Sequence, residues 1–269
     1  MEARPVHFLD IRREFPSPQF EVIPLRHDMW RNGMVVRMPN HLGDAVMALP
    51  ALGQLRKIVP ANCALFCIAP AGQRALYHAL PFVDGVLGLE QVHKAWSREE
   101  FLALRQQRFG VGVLYNNSFR DALTMYLAGV SNLYGAKARC RSFLLRRAFA
   151  FPPRPDRAPA EIHHANRYLA IATALGAPPW DGALPEFRLT PEADELPAQI
   201  TALCAHPKLL TIASGAAYGA AKRWPGECFR EVAAHWIAQG GIAVVLGSES
   251  ERAIGDEVIA GLDARKAYN

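Results

Sequence analysis

Met34-Val35-Val36-Arg37-Met38-Pro39-Asn40-His41-Leu42-Gly43-Asp44-Ala45-Val46-Met47-Ala48-Leu49-Pro50-Ala51-Leu52 opens the regular pattern of this chain. Its first five residues are apolar except for Arg37, which is the length and content of a strand buried on both faces. Beyond the loop, apolar residues at 45, 48, 49, 52, 55 and 59 recur at the spacing of one helical face and predict a helix over 45–59. Pro50 has no amide hydrogen to give, so that helix is expected either to bend there or to begin there. A strand, a tight loop and a helix are the start of a βα unit.

The unit repeats downstream. Apolar runs at 64–69, 83–87 and 111–115 read as strands, and periodic segments at 73–80, 97–108 and 118–128 read as helices. Repeated βα units imply a parallel, doubly wound sheet. Nine of the 20 prolines then fall within 152–197, around one helical segment at 162–175, as expected of a connector leaving a domain. The alternation resumes with strands at 209–213 and 242–246 and helices at 225–239 and 250–262. The organisation expected is an N-terminal extension over 1–33, an α/β domain over 34–180, and a linker with the first part of a second domain over 181–269. Two strands do not make a doubly wound sheet, so the second domain reads as incomplete.

Composition agrees with a globular α/β chain. At 269 residues, 51% hydrophobic and 20% charged, it has material for a sizeable core, which excludes disorder and collagen-like structure. No apolar run reaches the roughly 18 residues of a spanning helix, and residues 1–13 lack the apolar centre of a secretory signal; a cytoplasmic location is expected. The five cysteines form no CxxC pair, which points away from a disulfide framework or zinc site. Cys63 and Cys67 are expected on one face of a buried strand. His163 and His164 have no HExxH partner pair and read as capping or packing residues rather than metal ligands.

Two loops offer chemistry. In the first, between 38 and 45, Gly43 permits close backbone approach, and Asp44 either caps the helix or faces the crevice at the carboxyl end of the sheet. The second is Ser214-Gly215-Ala216-Ala217-Tyr218-Gly219-Ala220-Ala221-Lys222-Arg223-Trp224-Pro225. Small residues leave its amides accessible, the helix after it turns its positive end toward it, and Lys222 and Arg223 add charge; an anion site and a plain glycine-rich turn with exposed cations both fit. It has neither Walker A nor GxGxxG spacing. No GxSxG elbow is present, and Ser118 beside Arg120 has no assignable base, so serine-type hydrolysis is unsupported.

The net charge of +5 is concentrated. Residues 137–157 hold seven basic side chains, Arg139 and Arg141 among them, against the single acid Asp156. Such a stretch suits a polyanion, or is a solvated basic face. Nucleic acid is disfavoured because no aromatic residues are interleaved as in a single-strand binder.

Taken together, the segment 36–52, the run Tyr115-Asn116-Asn117-Ser118-Phe119-Arg120 with Ala122-Leu123, and the loop Gly215 to Pro225 closely resemble the lipopolysaccharide heptosyltransferases of glycosyltransferase family 9, the heptosyltransferase II type in particular. The resemblance runs in order from Gly33 to Asn269. It implies a GT-B architecture, two Rossmann-like domains with acceptor bound mainly by the first and nucleotide sugar by the second. It also implies transfer of L-glycero-D-manno-heptose from ADP-heptose to the lipopolysaccharide inner core with inversion, without cofactor or metal. By the same resemblance Asp44 is the expected catalytic base and Lys222 the donor-phosphate contact. Ser214, Gly215, Ala216, Ala217 and Tyr218 match the phosphate-side loop, and Glu251, or alternatively Glu249, the ribose contact. Asn40, Gly43, Ser118, Arg120, Arg139 and Arg141 fall to the acceptor side, the basic stretch facing phosphates of lipid A and core at the inner face of the cytoplasmic membrane.

Family members carry a D-S-G-x-x-H loop that is not found before Asn269, which implies a truncated donor domain. The alternatives are an inactive remnant that only binds acceptor, and another GT-B nucleotide-sugar enzyme such as an epimerase.

Overall fold

Gly33 has φ +121° and the Ala64 backbone stands where a Cβ would be, so glycine alone lets β1 (Gly33–Arg37) start this close to β2 (Ala64–Pro70). In the computed structural model, which describes residues 20–151, 163–188, 202–216 and 220–269, these strands form the middle of a six-stranded sheet. The others are β3 (Gly85–Leu89), β4 (Val111–Leu114), β5 (Asn132–Ala136) and β6 (Arg147–Phe149), all parallel in the order β3-β2-β1-β4-β5-β6. The order reverses between β1 and β4, with Val36 paired to Cys67 on one side and Val113 on the other. A doubly wound sheet opens its ligand crevice at that switch point, outside the carboxyl ends of the strands.

Both faces are covered, which explains the apolar runs. On one, Met34, Val36, Leu65, Cys67, Val111 and Val113 pack with α1 (Leu42–Arg56), α2 (Arg74–His78) and, farther along the chain, α5 (His164–Ala174). On the other, Val35, Ile68, Leu114 and Leu133 meet α3 (Arg98–Gln107) and α4 (Phe119–Leu127). Cys63 and Cys67 lie buried in the first of these clusters, Cys67 within β2 but Cys63 just ahead of it rather than in the strand, and His163 caps α5 by accepting from the Ala165 amide at 3.3 Å.

Several expectations are corrected. α1 starts at Leu42, carries Pro50 inside it, and has His41 as its N-cap, so Pro50 does not begin the helix and Asp44 does not cap it. The strand expected at 83–87 lies at 85–89, and the segment 73–80 is only a short helix after a 3-10 turn. β6 arises within the residues read as a basic stretch, and β5 just ahead of it, where no strand was expected. The described part of the N-terminal extension, from Phe20 onward, packs on the first unit: Met29 and Trp30 are core residues, and the Phe20 ring lies 5.1 Å from those of both Phe149 and Phe151. Residues 1–19 lie outside the described residues, as do Arg154 and Arg157 of the basic stretch.

The chain divides into two compact units, Met1–Thr190 and Pro191–Asn269. In the second, β7 (Leu209–Ile212), α6 (Gly226–Ala238), β8 (Ile242–Val245), α7 (Arg252–Ile259) and β9 (Ala267–Tyr268) follow in sequence. Its sheet is parallel in the order β7-β8-β9 over a core of Ile212, Ala233, Ala243, Val245 and Val258. Among the described residues it holds three strands rather than the expected two, because the brief β9 pairs Ala267 with Ala243. No helix among the described residues is long and apolar enough to cross a membrane.

Candidate functional site

In the first unit the loops after β1, β2, β3 and β4 meet at the carboxyl edge of the sheet. Asp44, half-buried in the first turn of α1, accepts no hydrogen bond and pairs with no cation among the described residues, and an acid suits that positive helix end. Its charge is felt by Tyr168 on α5, whose phenol is pushed up first by burial and then by Asp44. Tyr168 stacks on Tyr115 at 4.9 Å, just past β4, and on His164 at 5.1 Å. Gly43 beside Asp44 is exposed, and a Cβ there would meet nothing within 4 Å, so no described protein atom requires glycine at that point.

Beneath the loop lies a buried polar network. Arg37, wholly buried in β1, donates from Nε to Asp121 Oδ2 at 2.8 Å, from Nη1 to the Met38 carbonyl at 2.6 Å and from Nη2 to Asn40 Oδ1 at 2.6 Å. Burial pulls the guanidinium below its ordinary range and the Asp121 carboxylate opposes that. Asp121 also accepts from Asn116 Nδ2 at 2.6 Å and Trp96 Nε1 at 3.1 Å. The Asn40 carbonyl accepts from Gln73 Nε2 at 2.8 Å, tying in the loop after β2, while Gln73 Oε1 is buried without a partner.

The acceptor-side residues of the resemblance separate by what they touch. Asn40 and Gly43 stand with Asp44. Ser118 is the N-cap of α4, its hydroxyl accepting from the Asp121 amide at 3.1 Å. Arg120 holds the carbonyls of His93 and Val92, each at 2.8 Å. Arg139 is exposed, in left-handed backbone at φ +44°, with no carboxylate partner among the described residues.

Arg141 is a correction: its side chain is wholly buried and bonds the carbonyls of Ala136 at 3.1 Å and Ser118 at 3.2 Å, so it offers nothing to an acceptor phosphate. Burial lowers it to about 10, partly offset by Asp121, and it stays charged at neutral pH. Among the described residues the basic surface is thereby reduced to exposed Lys137, Arg139, Arg146 and Arg147, of which Arg146 already bonds Asn132 and Arg147 lies 3.9 Å from Glu21.

In the second unit the structure gathers Ser214, Gly247, Glu249, Glu251, Arg252 and Asn269 around a hollow of about 140 Å³ at the carboxyl ends of β7 and β8. Gly215 packs so closely on Glu251 that a Cβ there would overlap the carboxylate unless the Glu251 side chain shifted. Glu251 is the acid of a capping box, accepting from the Ser248 amide at 2.8 Å and hydroxyl at 2.7 Å, bonds that hold it below the ordinary glutamate range. Glu249 instead binds Arg252 at the surface. Lys222, ending the 3-10 turn Ala220–Lys222, is exposed and has no ion-pair partner among the described residues. Ala216 is described, whereas Ala217 and Tyr218 lie outside the described residues. No group of three or more His, Cys, Asp and Glu suited to a metal ion occurs among the described residues.

With this geometry in hand, comparison with known proteins is direct. A family model described as glycosyltransferase family 9 (heptosyltransferase) matches residues 98–268, more than half of the chain. The chain belongs to glycosyltransferase family 9. The lipopolysaccharide heptosyltransferase 2 of Salmonella typhimurium is 26% identical over 238 residues, which are 85% of this family 9 chain and 67% of that relative. Two solved structures share the fold. The E. coli ADP-heptose lps heptosyltransferase II has a TM-score of 0.69 at 24% identity, covering 87% of this chain and 70% of that one. A family 9 glycosyl transferase from Veillonella parvula gives 0.73 at 15% identity, covering 91% and 71%.

The residues that sequence reasoning missed in this family 9 chain are Arg37 and Asp121, with Trp96, Asn116 and Gln73 around them. One signal was present: a charged residue inside a strand covered on both faces must find a buried partner, and Arg37 interrupts such a strand. The sequence gives no hint that the partner lies on α4.

Proposed function

We propose that this chain is an inverting GT-B heptosyltransferase that moves L-glycero-D-manno-heptose from ADP-heptose to the lipopolysaccharide inner core, working at the cytoplasmic face of the membrane. The first unit takes the acceptor and the second the nucleotide sugar. One observation carries the reading: in a family 9 chain, the carboxylate of Asp44 stands uncommitted among the described residues at the carboxyl edge of β1, beside the switch point. An acceptor hydroxyl must lose its proton as it attacks the anomeric carbon, and a carboxylate so placed is suited to accept it.

The leaving ADP carries the negative charge that develops as the glycosidic bond breaks. Lys222, the loop amides at Ser214 to Ala216 and the N-terminus of α6 are a suitable set of donors for it. Glu251, its carboxylate held by Ser248 next to Gly215, is the candidate for the ribose hydroxyls. Among the described residues of the basic stretch, Lys137 and Arg139 are the candidates to meet a phosphorylated acceptor.

The test is to incubate the 269-residue protein with ADP-heptose and a core acceptor and to follow both by mass spectrometry. Gain of one heptose by the acceptor with release of ADP is expected. Acceptor binding without mass gain sinks the enzyme reading in favour of a binding module, and a change in the donor sugar without transfer points to an epimerase.

A further inference from the structure

Asp121 gathers three loops onto one buried carboxylate. Through Arg37 it reaches Met38 and Asn40 in the loop after β1, through Trp96 the loop after β3, and through Asn116 the loop after β4. These are the strand-to-helix connections from which the crevice edge is built. A buried ion pair contributes little net stability, because the desolvation of two charges offsets their attraction; its return is a fixed geometry. Here the geometry is exacting. The guanidinium spends three separate N–H groups in three directions, a task its planar fork performs and an ammonium does not.

The pairing also decides which way Asn40 points. A guanidinium only donates, so the atom facing Arg37 Nη2 must be the amide oxygen of Asn40. The Asn40 NH₂ is therefore turned away from Arg37, and it makes no hydrogen bond among the described residues. It stands four residues before Asp44, as a donor whose orientation is set from inside the protein.

We propose that Arg37 and Asp121 are positioning residues: they hold the crevice loops in register and present the Asn40 amide as a hydrogen-bond donor to a hydroxyl of the acceptor bound beside Asp44. The second half rests on the transferase reading above; the first half does not.

Hydrogen exchange on the free protein tests the first half without substrate. In Arg37→Lys, which keeps the buried charge but loses the fork, the amides of 38–44 and 92–97 are expected to exchange at least tenfold faster while those of the central strands are unchanged. Acceleration spread evenly over the sheet, or none in these loops, would reduce the pair to a general stabiliser and overturn the proposal. If Arg37→Lys does not fold, Asp121→Asn is read by the same criterion. For the second half, Asn40→Asp keeps an oxygen for Arg37 and removes the outward donor. With the melting temperature held and turnover measured on the pH plateau, a rise of about tenfold in acceptor KM is expected, with Asn40→Gln restoring part of it. An unchanged KM overturns the donor role. Should the wild-type protein transfer nothing, the transferase reading fails, and the exchange result still decides the positioning role.

Discussion

Arg141 donates to the carbonyl of Ser118, 3.2 Å away, and Ser118 in turn caps α4 with its hydroxyl, so a residue of the basic stretch secures the start of the helix that carries Asp121. Removing it leaves the Ser118 and Ala136 carbonyls short of a charged donor. Arg141→Met is expected to lower stability by about 2 kcal/mol or more in urea titration. Arg139→Ala, at an exposed site, should change it by no more than about 0.5 kcal/mol. Equal effects from the two would contradict the buried assignment of Arg141.

Asp44 makes no hydrogen bond or ion pair among the described residues, and that makes its substitution clean. Asp44→Asn is expected to slow transfer by roughly 10²-fold or more while the melting temperature and ADP-heptose affinity stay as they were. Full turnover by the variant would remove Asp44 from the role of base.

Lys222 is exposed and has no ion-pair partner among the described residues, so Lys222→Ala should fold normally. Its expected effect is a loss of about tenfold in affinity for ADP, the size of one charge-assisted contact, and a smaller gap between wild type and variant at high salt. Calorimetric titration at two ionic strengths reads both, and an ADP affinity equal to that of the wild type counts against a phosphate contact.

Gly215→Ala asks for space that the Glu251 carboxylate already fills. Overpacking of this kind costs about 1–3 kcal/mol, and donor binding should weaken with it. Shortening the opposing residue, as in Gly215→Ala with Glu251→Ser, is expected to recover part of the stability, giving a non-additive pair in a double-mutant cycle. Strict additivity would mean the two residues do not compete for the same volume.

The Glu251 carboxyl titrates below its ordinary value of 4.5 because folding gives it the Ser248 donors. A group lowered in this way adds stability that is complete above the unfolded value and is lost as pH falls through the folded one. Below pH 4.5 the wild-type second unit should lose stability that Glu251→Gln never had, so the two proteins' melting temperatures converge on acidification. Parallel curves would show that the cap makes no pH-dependent contribution.

How much of this was legible depended on where each residue's partners lie. Strands such as Val111–Leu114 are covered on both faces and show as apolar runs, and the periodic segment at 97–108 shows as α3, which Ser97 and Glu100 open with a capping box not singled out from the sequence. Neither β5, with Asn132 and two small residues among five, nor β6, three residues starting at Arg147, has a run to read. Arg141 looked like one cation among seven. Its burial is decided by two carbonyls, one 23 residues away in sequence, and no local pattern reports such a partner. Asp121 was hidden in the same way, since a first-turn aspartate on an amphipathic helix resembles ordinary helix punctuation until Arg37 is seen against it.

The strand order has a consequence for how the protein is made. β1 is an interior strand whose one neighbour, β2, emerges from the ribosome soon after it, but whose other neighbour, β4, begins only at Val111. At a synthesis rate of about 5–20 residues per second, the apolar edge of Met34, Val35 and Val36 stays open for several seconds while the chain between is completed. During that interval nascent β1 is a template for wrong partners, and Arg37 at its end is a charge with no counterion, which makes the growing edge less welcoming to another apolar strand until α4 delivers Asp121.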